Sequence, residues 1–281
     1  MKVLDSVAPL AERYDGFVID LWGVVHDGRQ ALPGASEALA ALRDAGKPVV
    51  FLSNVPRRAW VAEAQLARFG IARDLYTAVV TSGEVTWELL RDRTHPWFAA
   101  LGRRAWQLGP ESDRSVVEEL DLSLVATPEE AEFILNTGPD PELGPGALLP
   151  YEPLLQRCAA RGLPMVCVNP DREVVVGGQV LLCAGAFADR YRALGGGPVF
   201  EVGKPDPTVY GPVLRRLGLP RERVLALGDG PRTDLAGAAA AGLEAVWVLG
   251  GLSAGLDPET LDEVAAAEGV APIAALRALR W

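Results

Sequence analysis

Two buried-strand runs in this chain stop at an aspartate and turn through glycine. The first is Phe17-Val18-Ile19-Asp20, followed by Leu21-Trp22-Gly23; the second is Val224-Leu225-Ala226-Leu227-Gly228-Asp229, followed by Gly230. A strand that ends on a carboxylate and turns sharply puts that carboxylate on the rim of a sheet. Two further strand-like runs end on polar residues. Val49-Val50-Phe51-Leu52 runs into Ser53-Asn54, and Val199-Phe200-Glu201-Val202 runs into Gly203-Lys204-Pro205. In an open parallel sheet, ligands bind at the carboxyl ends of the strands. Two acids, a hydroxyl and an ammonium gathered there suit a divalent cation and a phosphoryl group.

Strand and helix signals alternate around these ends. Gly34 and Gly46 bracket a helix over 35–45, a strand covers 48–52, a helix over 57–69 stops at Gly70, and a strand covers 76–80. This β-α-β-α-β order predicts an α/β fold with a doubly wound, Rossmann-like parallel sheet and right-handed crossovers. The middle of the chain keeps an α/β pattern but adds a hairpin over 173–181, where Gly177-Gly178 separates two β-rich runs. The doubly wound pattern then resumes with a helix over 187–194, the strand before Lys204, a helix over 208–217 and the Asp229 strand. A helix over 233–241 and a strand over 245–249 come next, and helices near 259–267 and 273–279 close the chain. The expected division is a core of residues 1–82 and 186–281 with an α/β domain, 83–185, inserted in it. Such an insertion lets Asp20 and Asp229 be distant in sequence and end adjacent strands.

Composition excludes several partners. The chain has 281 residues, 49% of them hydrophobic, and a formal net charge of -10. An acidic surface repels nucleic-acid phosphates, so an anionic substrate must find local positive charge: Lys204, a bound cation and backbone amides. Cys158, Cys167 and Cys183 form no Cys-x-x-Cys pair, and buried thiols in a reducing compartment are the simple reading. No apolar run approaches the ~18 residues of a membrane span. A cytoplasmic protein with no membrane partner is expected. No motif sets the oligomeric state, and a homo-oligomer stays open.

The four strand ends, in this order, resemble the motifs of the haloacid-dehalogenase (HAD) superfamily of aspartate-nucleophile hydrolases. The chain is most similar to the type IIA branch, the NagD and 4-nitrophenylphosphatase-like enzymes, over nearly its whole length. The resemblance implies a Mg²⁺-dependent phosphatase that hydrolyses a small phosphomonoester, of the sugar or nucleotide phosphate class, through an aspartyl-phosphate on Asp20. It implies that the insertion is a mobile cap. Ser53, the amide of Asn54 and Lys204 would then hold the phosphoryl group. Asp20, the backbone carbonyl of Trp22 and Asp229 would hold Mg²⁺, with Asp234 supporting them. Each residue has a plainer reading: Ser53-Asn54 as an ordinary turn, Lys204 as a solvated turn lysine, Asp234 as a first-turn acid on the helix dipole. Their common register favours the site.

One position departs from the family pattern. The phosphatases read Asp-x-Asp-Gly, and Trp22 stands where the second aspartate belongs. That aspartate protonates the leaving oxygen and later activates water, a contribution of ~10²–10⁴-fold. Three outcomes follow: substrates that leave without a proton, another proton carrier, or binding without turnover. His26 is the nearest candidate carrier in sequence, although a loop histidine bonded to backbone or to Asp27 is the favoured reading. Asn169-Pro170-Asp171 resembles the turn that faces the active site in NagD-like enzymes, and a plain turn is an equal alternative. Arg57 and Arg58 read first as solvated helix-start residues and second as contacts for an anionic substrate. Trp22 is expected in the pocket wall. Two other functions stay open: a regulatory protein that binds phosphate and metal, and carbon–halogen cleavage at Asp20. The intact Asp20 argues against the first, and retention of Lys204, Asp229 and Asp234 against the second.

Overall fold

The computed structural model describes residues 1–144 and 146–281. In chain order the strands begin with β1 (Val3–Leu4), β2 (Gly16–Ile19), β3 (Val49–Ser53) and β4 (Ala78–Thr81). β5 (Arg104–Leu108), β6 (Ser123–Val125), β7 (Phe133–Asn136) and β8 (Met165–Cys167) follow, then β9 (Glu173–Val176), β10 (Gln179–Leu182) and β11 (Val199–Glu201). β12 (Val224–Gly228), β13 (Glu244–Val248) and β14 (Ala274–Leu276) end the series. Among the described residues these make a seven-stranded sheet, β1-β14-β13-β12-β2-β3-β4, a five-stranded sheet, β11-β8-β7-β5-β6, and the antiparallel pair β9–β10. Every pairing in the two large sheets is parallel.

The seven-stranded sheet is buried on both faces, and its sequence shows why. Side chains alternate across a strand, so β2 sends Phe17 and Ile19 to one face and Val18 to the other. Phe17, Ile19, Phe51, Leu225 and Val246 pack with Leu10, Leu39, Leu42 and Leu66 of the helices on one side. Val18, Val50, Val80, Ala226 and Trp247 pack with Val213, Leu217, Ala238 and Leu261 on the other. Fully burying such a side chain contributes about 1.5–3 kcal/mol, so polar interruption of either face is costly until the strands end. The carboxylates therefore sit at the strand ends.

β2 and β12 pair directly, with Ile19 opposite Leu227. The chain runs from β2 outward to β3 and β4, and from β12 outward in the opposite direction to β13 and β14. Asp20 and Asp229 thus flank the point where the crossovers diverge, the expected place for a ligand. Thr81 then starts the helix Ser82–Asp92, its side chain accepting the Glu84 N–H at 2.9 Å. That helix carries Leu90 into the apolar core of the second sheet, with Phe98, Phe133, Leu135 and Val166.

The structure corrects the sequence reading at two places. The segment 186–201 does not belong with the seven-stranded sheet. Phe187, Ala188 and Tyr191 of the helix Ala184–Ala193 pack on the second sheet, and β11 pairs β8 there. The chain returns to the first sheet only at Gly203-Lys204. A strand–helix–strand crossover has the same apolar pattern in either sheet, so periodicity does not say which sheet it joins. The second correction is at 273–279: β14 lies there as a strand between β13 and β1 instead of a helix. Its Ala-rich run has no β-branched signal, and pairing with the two-residue β1 fixes it. Among the described residues no helix is long and apolar enough to cross a membrane.

Candidate active site

Three chain segments bring four polar residues together at the carboxyl end of the first sheet. Asp20 follows β2, Asp229 follows β12, Asp234 lies in the first turns after β12, and Lys204 comes from the loop after β11. Lys204 is 3% exposed and Asp20 7%. The Lys204 ammonium donates to Asp20 Oδ1 and to Asp234 Oδ1, each at 2.6 Å. The other Asp234 oxygen, Oδ2, accepts the Gly230 N–H at 3.0 Å. Asp20, Asp229 and Asp234 each offer a carboxylate oxygen, and these lie within 4.8 Å of one another.

Three carboxylates face one ammonium, and burial magnifies the imbalance. Burial raises the Asp20 carboxyl to about 7; Lys204 opposes the rise and Asp234 adds to it. Asp229 is held well above the usual carboxylate range by burial, then by the charges of Asp20 and Asp234. Burial works against the Lys204 charge, but Asp20, Asp234 and Asp171 outweigh it and hold the ammonium well above its ordinary range. The cluster is an anion-rich cage with hard oxygen donors, which suits Mg²⁺. Asp229 has its own support. Its Oδ2 accepts the Leu252 N–H at 3.1 Å, and its carbonyl accepts from Ser253 Oγ at 2.7 Å and Trp247 Nε1 at 3.2 Å. A Cβ on Gly251 would overlap that carboxylate. This Gly250–Ser253 loop went unread in the sequence, and its signal was the Gly250-Gly251 pair directly after the β13 strand run.

Ser53 and Asn54 close the other side, 2% and 3% exposed. The Asn54 side chain does more than the sequence suggested. Its Oδ1 accepts the Lys204 N–H at 2.7 Å, and its Nδ2 donates to the Lys204 carbonyl at 3.0 Å and to Asp171 Oδ1 at 2.9 Å. One carboxamide thus fixes the lysine loop and ties it to the second sheet's connection. No spacing rule in a single sequence encodes such a bracket. Asn169 Oδ1 accepts the Asp171 N–H at 2.9 Å, so Asn169 shapes the turn that Asp171 uses. Burial raises the Asp171 carboxyl to about 6, against the pull of Lys204 and Asn54.

Trp22 lines the site, as expected of a wall residue. Its loop leaves its carbonyl out of the local ladder, because the bonds run from His26 N–H to Leu21 O (3.0 Å) and from Gly23 N–H to His26 O (2.9 Å). The indole lies on Gly28, where a Cβ would overlap it and where φ is +85°. Gly28→Ala is therefore expected to displace the indole and to destabilise the fold by about 1–3 kcal/mol, from overpacking and a strained φ. Urea unfolding followed by tryptophan fluorescence measures it, and an unchanged midpoint would contradict the packing.

The structure sets His26 apart from the carboxylate cluster. It is 1% exposed, its Nδ1 accepts the Gly28 N–H at 3.1 Å, and its ring packs between Trp22 and Phe69. Burial lowers its pKa to about 4, and it lines neither cavity at the site. An apolar nest that accepts only a neutral ring explains the outcome. Arg57 and Arg58 are paired instead of solvated. Arg57 Nε donates to Asp113 Oδ1 at 2.6 Å, and that arginine lines the larger cavity. Arg58 bonds Glu84 at 2.7 Å and stacks 3.7 Å over Trp87.

Two spaces open from the cluster. A narrow cleft is bounded by Asp20, Asp229, Asp234, Lys204, Asp171 and Leu252. A cavity of about 250 Å³ extends between the two sheets, bounded by Ser53, Val55, Pro56, Arg57, Pro110, Pro139 and Leu182 among others. A metal and phosphoryl group fit the chemistry of the cleft, and an organic substituent fits the mostly apolar cavity.

Known proteins share the sequence pattern and the fold. A sequence model of haloacid dehalogenase-like hydrolases matches residues 17–123, and a HAD-hydrolase-like model matches residues 201–273. The chain is 28% identical over 243 residues to the ribonucleotide monophosphatase NagD of Escherichia coli (strain K12), covering 84% of this chain and 88% of that one. It is 29% identical over 246 residues to the sugar-phosphatase AraL of Bacillus subtilis (strain 168), covering 84% and 83%. A crystal structure of a haloacid dehalogenase-like hydrolase from Brucella suis 1330 superposes with a TM-score of 0.85 at 33% identity, covering 98% of this chain and 99% of that one.

Proposed function

Because the chain belongs to the haloacid dehalogenase-like hydrolases, in their type IIA branch, we propose that it hydrolyses a small phosphomonoester with Asp20 as nucleophile and Mg²⁺ as cofactor. The convergence of Asp20, Lys204, Asp229 and Asp234 on one buried cleft carries this reading. The named relatives NagD and AraL, a ribonucleotide monophosphatase and a sugar-phosphatase, support it, and they extend the proposed substrate class to sugar and nucleotide phosphates. Residues 82–202 would act as the cap over the cleft.

Asp20, Asp229 and the Trp22 carbonyl would hold Mg²⁺, with Asp234 as their neighbour. Held there, the ion would supply positive charge that offsets the repulsion between two anions. Asp20 then attacks phosphorus and forms an acyl phosphate, which water hydrolyses. Lys204 keeps Asp20 oriented and offsets phosphoryl charge. Ser53 and the Asn54 amide would complete the donors to the phosphoryl oxygens. Asp234, bonded to both Lys204 and the Gly230 N–H, holds the ammonium in place.

A phosphate-release screen over sugar, nucleotide, alkyl and aryl phosphates, with and without Mg²⁺, tests the reading. No release from any ester would overturn it. A second reading, a protein that binds phosphate and metal without turnover, is favoured by Trp22 alone, and the same screen separates the two. Asp229→Asn should raise the Mg²⁺ concentration needed for half-maximal activity by about tenfold or more, since even supporting residues of metal sites cost 10–100-fold. It should also shrink the rise in Tm that Mg²⁺ gives the wild type through linkage. An unchanged Mg²⁺ dependence would mean that the ion binds elsewhere.

A further inference from the structure

We propose that Asp171, carried in from the second sheet, is the leaving-group acid and the base for water, doing from the opposite wall what Trp22 does not do. The proposal deepens the phosphomonoesterase reading and stands only with it.

The argument is one of position. Among the described residues, Asp20, Trp22, Asp171 and Val174 border both the cleft and the 250 Å³ cavity. The leaving oxygen of a phosphomonoester must sit at that junction, between a phosphoryl group in the cleft and an organic group in the cavity. Of the four residues, Val174 carries no proton. The Trp22 indole N–H does not exchange at neutral pH in the manner of an acid, and Asp20 is the nucleophile. Asp171 remains. Lys204 borders the cleft but not the cavity and is committed to Asp20 and Asp234. Asp113 borders the cavity but not the cleft, and it is committed to Arg57.

Asp171 is also oriented. Asn54 Nδ2 holds its Oδ1 at 2.9 Å, and Asn169 holds its backbone N–H at 2.9 Å, so Oδ2 is the oxygen that carries the proton. The burial that raises this carboxyl favours the protonated form as a phosphoryl dianion arrives. In the first step an Asp20 oxygen bonds to phosphorus as the bond to the leaving oxygen breaks. The leaving oxygen keeps that electron pair and takes the Asp171 proton. In the second step Asp171 takes a proton from water, the water oxygen bonds to phosphorus, and the Asp20–phosphorus bond breaks. Alcohol and inorganic phosphate are released, and both aspartates return to their starting states.

The test is a series of aryl and alkyl phosphates of rising leaving-group pKa, assayed with Mg²⁺ for the wild type and Asp171→Asn. The amide still accepts the Asn54 N–H, so the contact between the sheets survives. The readout is log kcat/KM against leaving-group pKa, which reports departure of the leaving group. The wild type should give a shallow line. Asp171→Asn should steepen it, losing about 10²–10⁴-fold on alkyl phosphates and far less on 4-nitrophenyl phosphate. An equal loss on every ester would overturn the acid role and leave Asp171 as a positioning residue for Asn54. If the wild type releases phosphate from no ester, the hydrolase reading fails first, and the Asp171 role falls with it.

Discussion

Asp20→Asn is expected to lower kcat for phosphate release by on the order of 10⁴–10⁶-fold, the scale on which removing a nucleophile acts. An amide oxygen does not form the acyl phosphate, and the change also removes one charge from the cluster of Asp20, Asp229 and Asp234. The fold should persist, because Lys204 keeps Asp234 as its partner at 2.6 Å. Stability of the metal-free protein should in fact rise at neutral and alkaline pH. The Asp20 carboxyl is raised to about 7, above its unfolded value of about 3.9. Such a group binds its proton more tightly when folded, so it costs stability as pH climbs through that window and costs most above 7. The amide escapes this cost, an exchange of activity for stability that active sites commonly show. Malachite-green phosphate release and thermal melts at pH 5 and pH 8 measure both effects. Turnover within tenfold of wild type would move the nucleophile elsewhere.

The sequence carried the first sheet well because its strands are buried on both faces. Val49-Val50-Phe51-Leu52 and Val224-Leu225-Ala226-Leu227 have no polar residue to confuse with a helix face, and the residues after them announce the rim. It carried less where an element is defined by its neighbour. β14 is three residues of Ala and Leu that become a strand between β1 and β13. β11 resembles the strand run before Asp229 but pairs β8, so this strand lies in the second sheet and not the first. At the site, Asp20, Ser53, Asn54, Lys204, Asp229 and Asp234 come together because each ends or follows a strand run. What stayed hidden was tertiary: the Asn54 carboxamide bracketing Lys204, the Leu252 N–H on Asp229, and the reach of Asp171 across to Asn54. His26 shows the converse. Nearness in sequence to Trp22 made it a candidate, and packing between two rings places it off both cavities.

Lys204→Met should be the most destabilising single change at the site. Methionine keeps an unbranched stem in the space of the lysine and removes the charge. Asp20 and Asp234 are then left buried, each having lost a 2.6 Å bond to the ammonium. Breaking a buried pair in this way costs about 3–5 kcal/mol. The carboxyls can relieve the cost by taking up protons, so its size must depend on pH. Without the ammonium, Asp20 rises further above its unfolded value. An acid raised in the folded state costs nothing below its unfolded pKa and progressively more as pH passes through the folded one. Lys204 itself is held above its ordinary range, so the stability from its charge is present below about 10.4 and lost only as pH rises through the higher folded value. The wild type therefore retains that contribution from pH 5 to pH 9, and the variation measured there belongs to the carboxyls. Urea unfolding of metal-free wild type and Lys204→Met should show a small difference at pH 5 that widens toward pH 8.5. A difference that does not change with pH would assign the loss to packing of the stem, and the electrostatic account of the cluster would have to be abandoned.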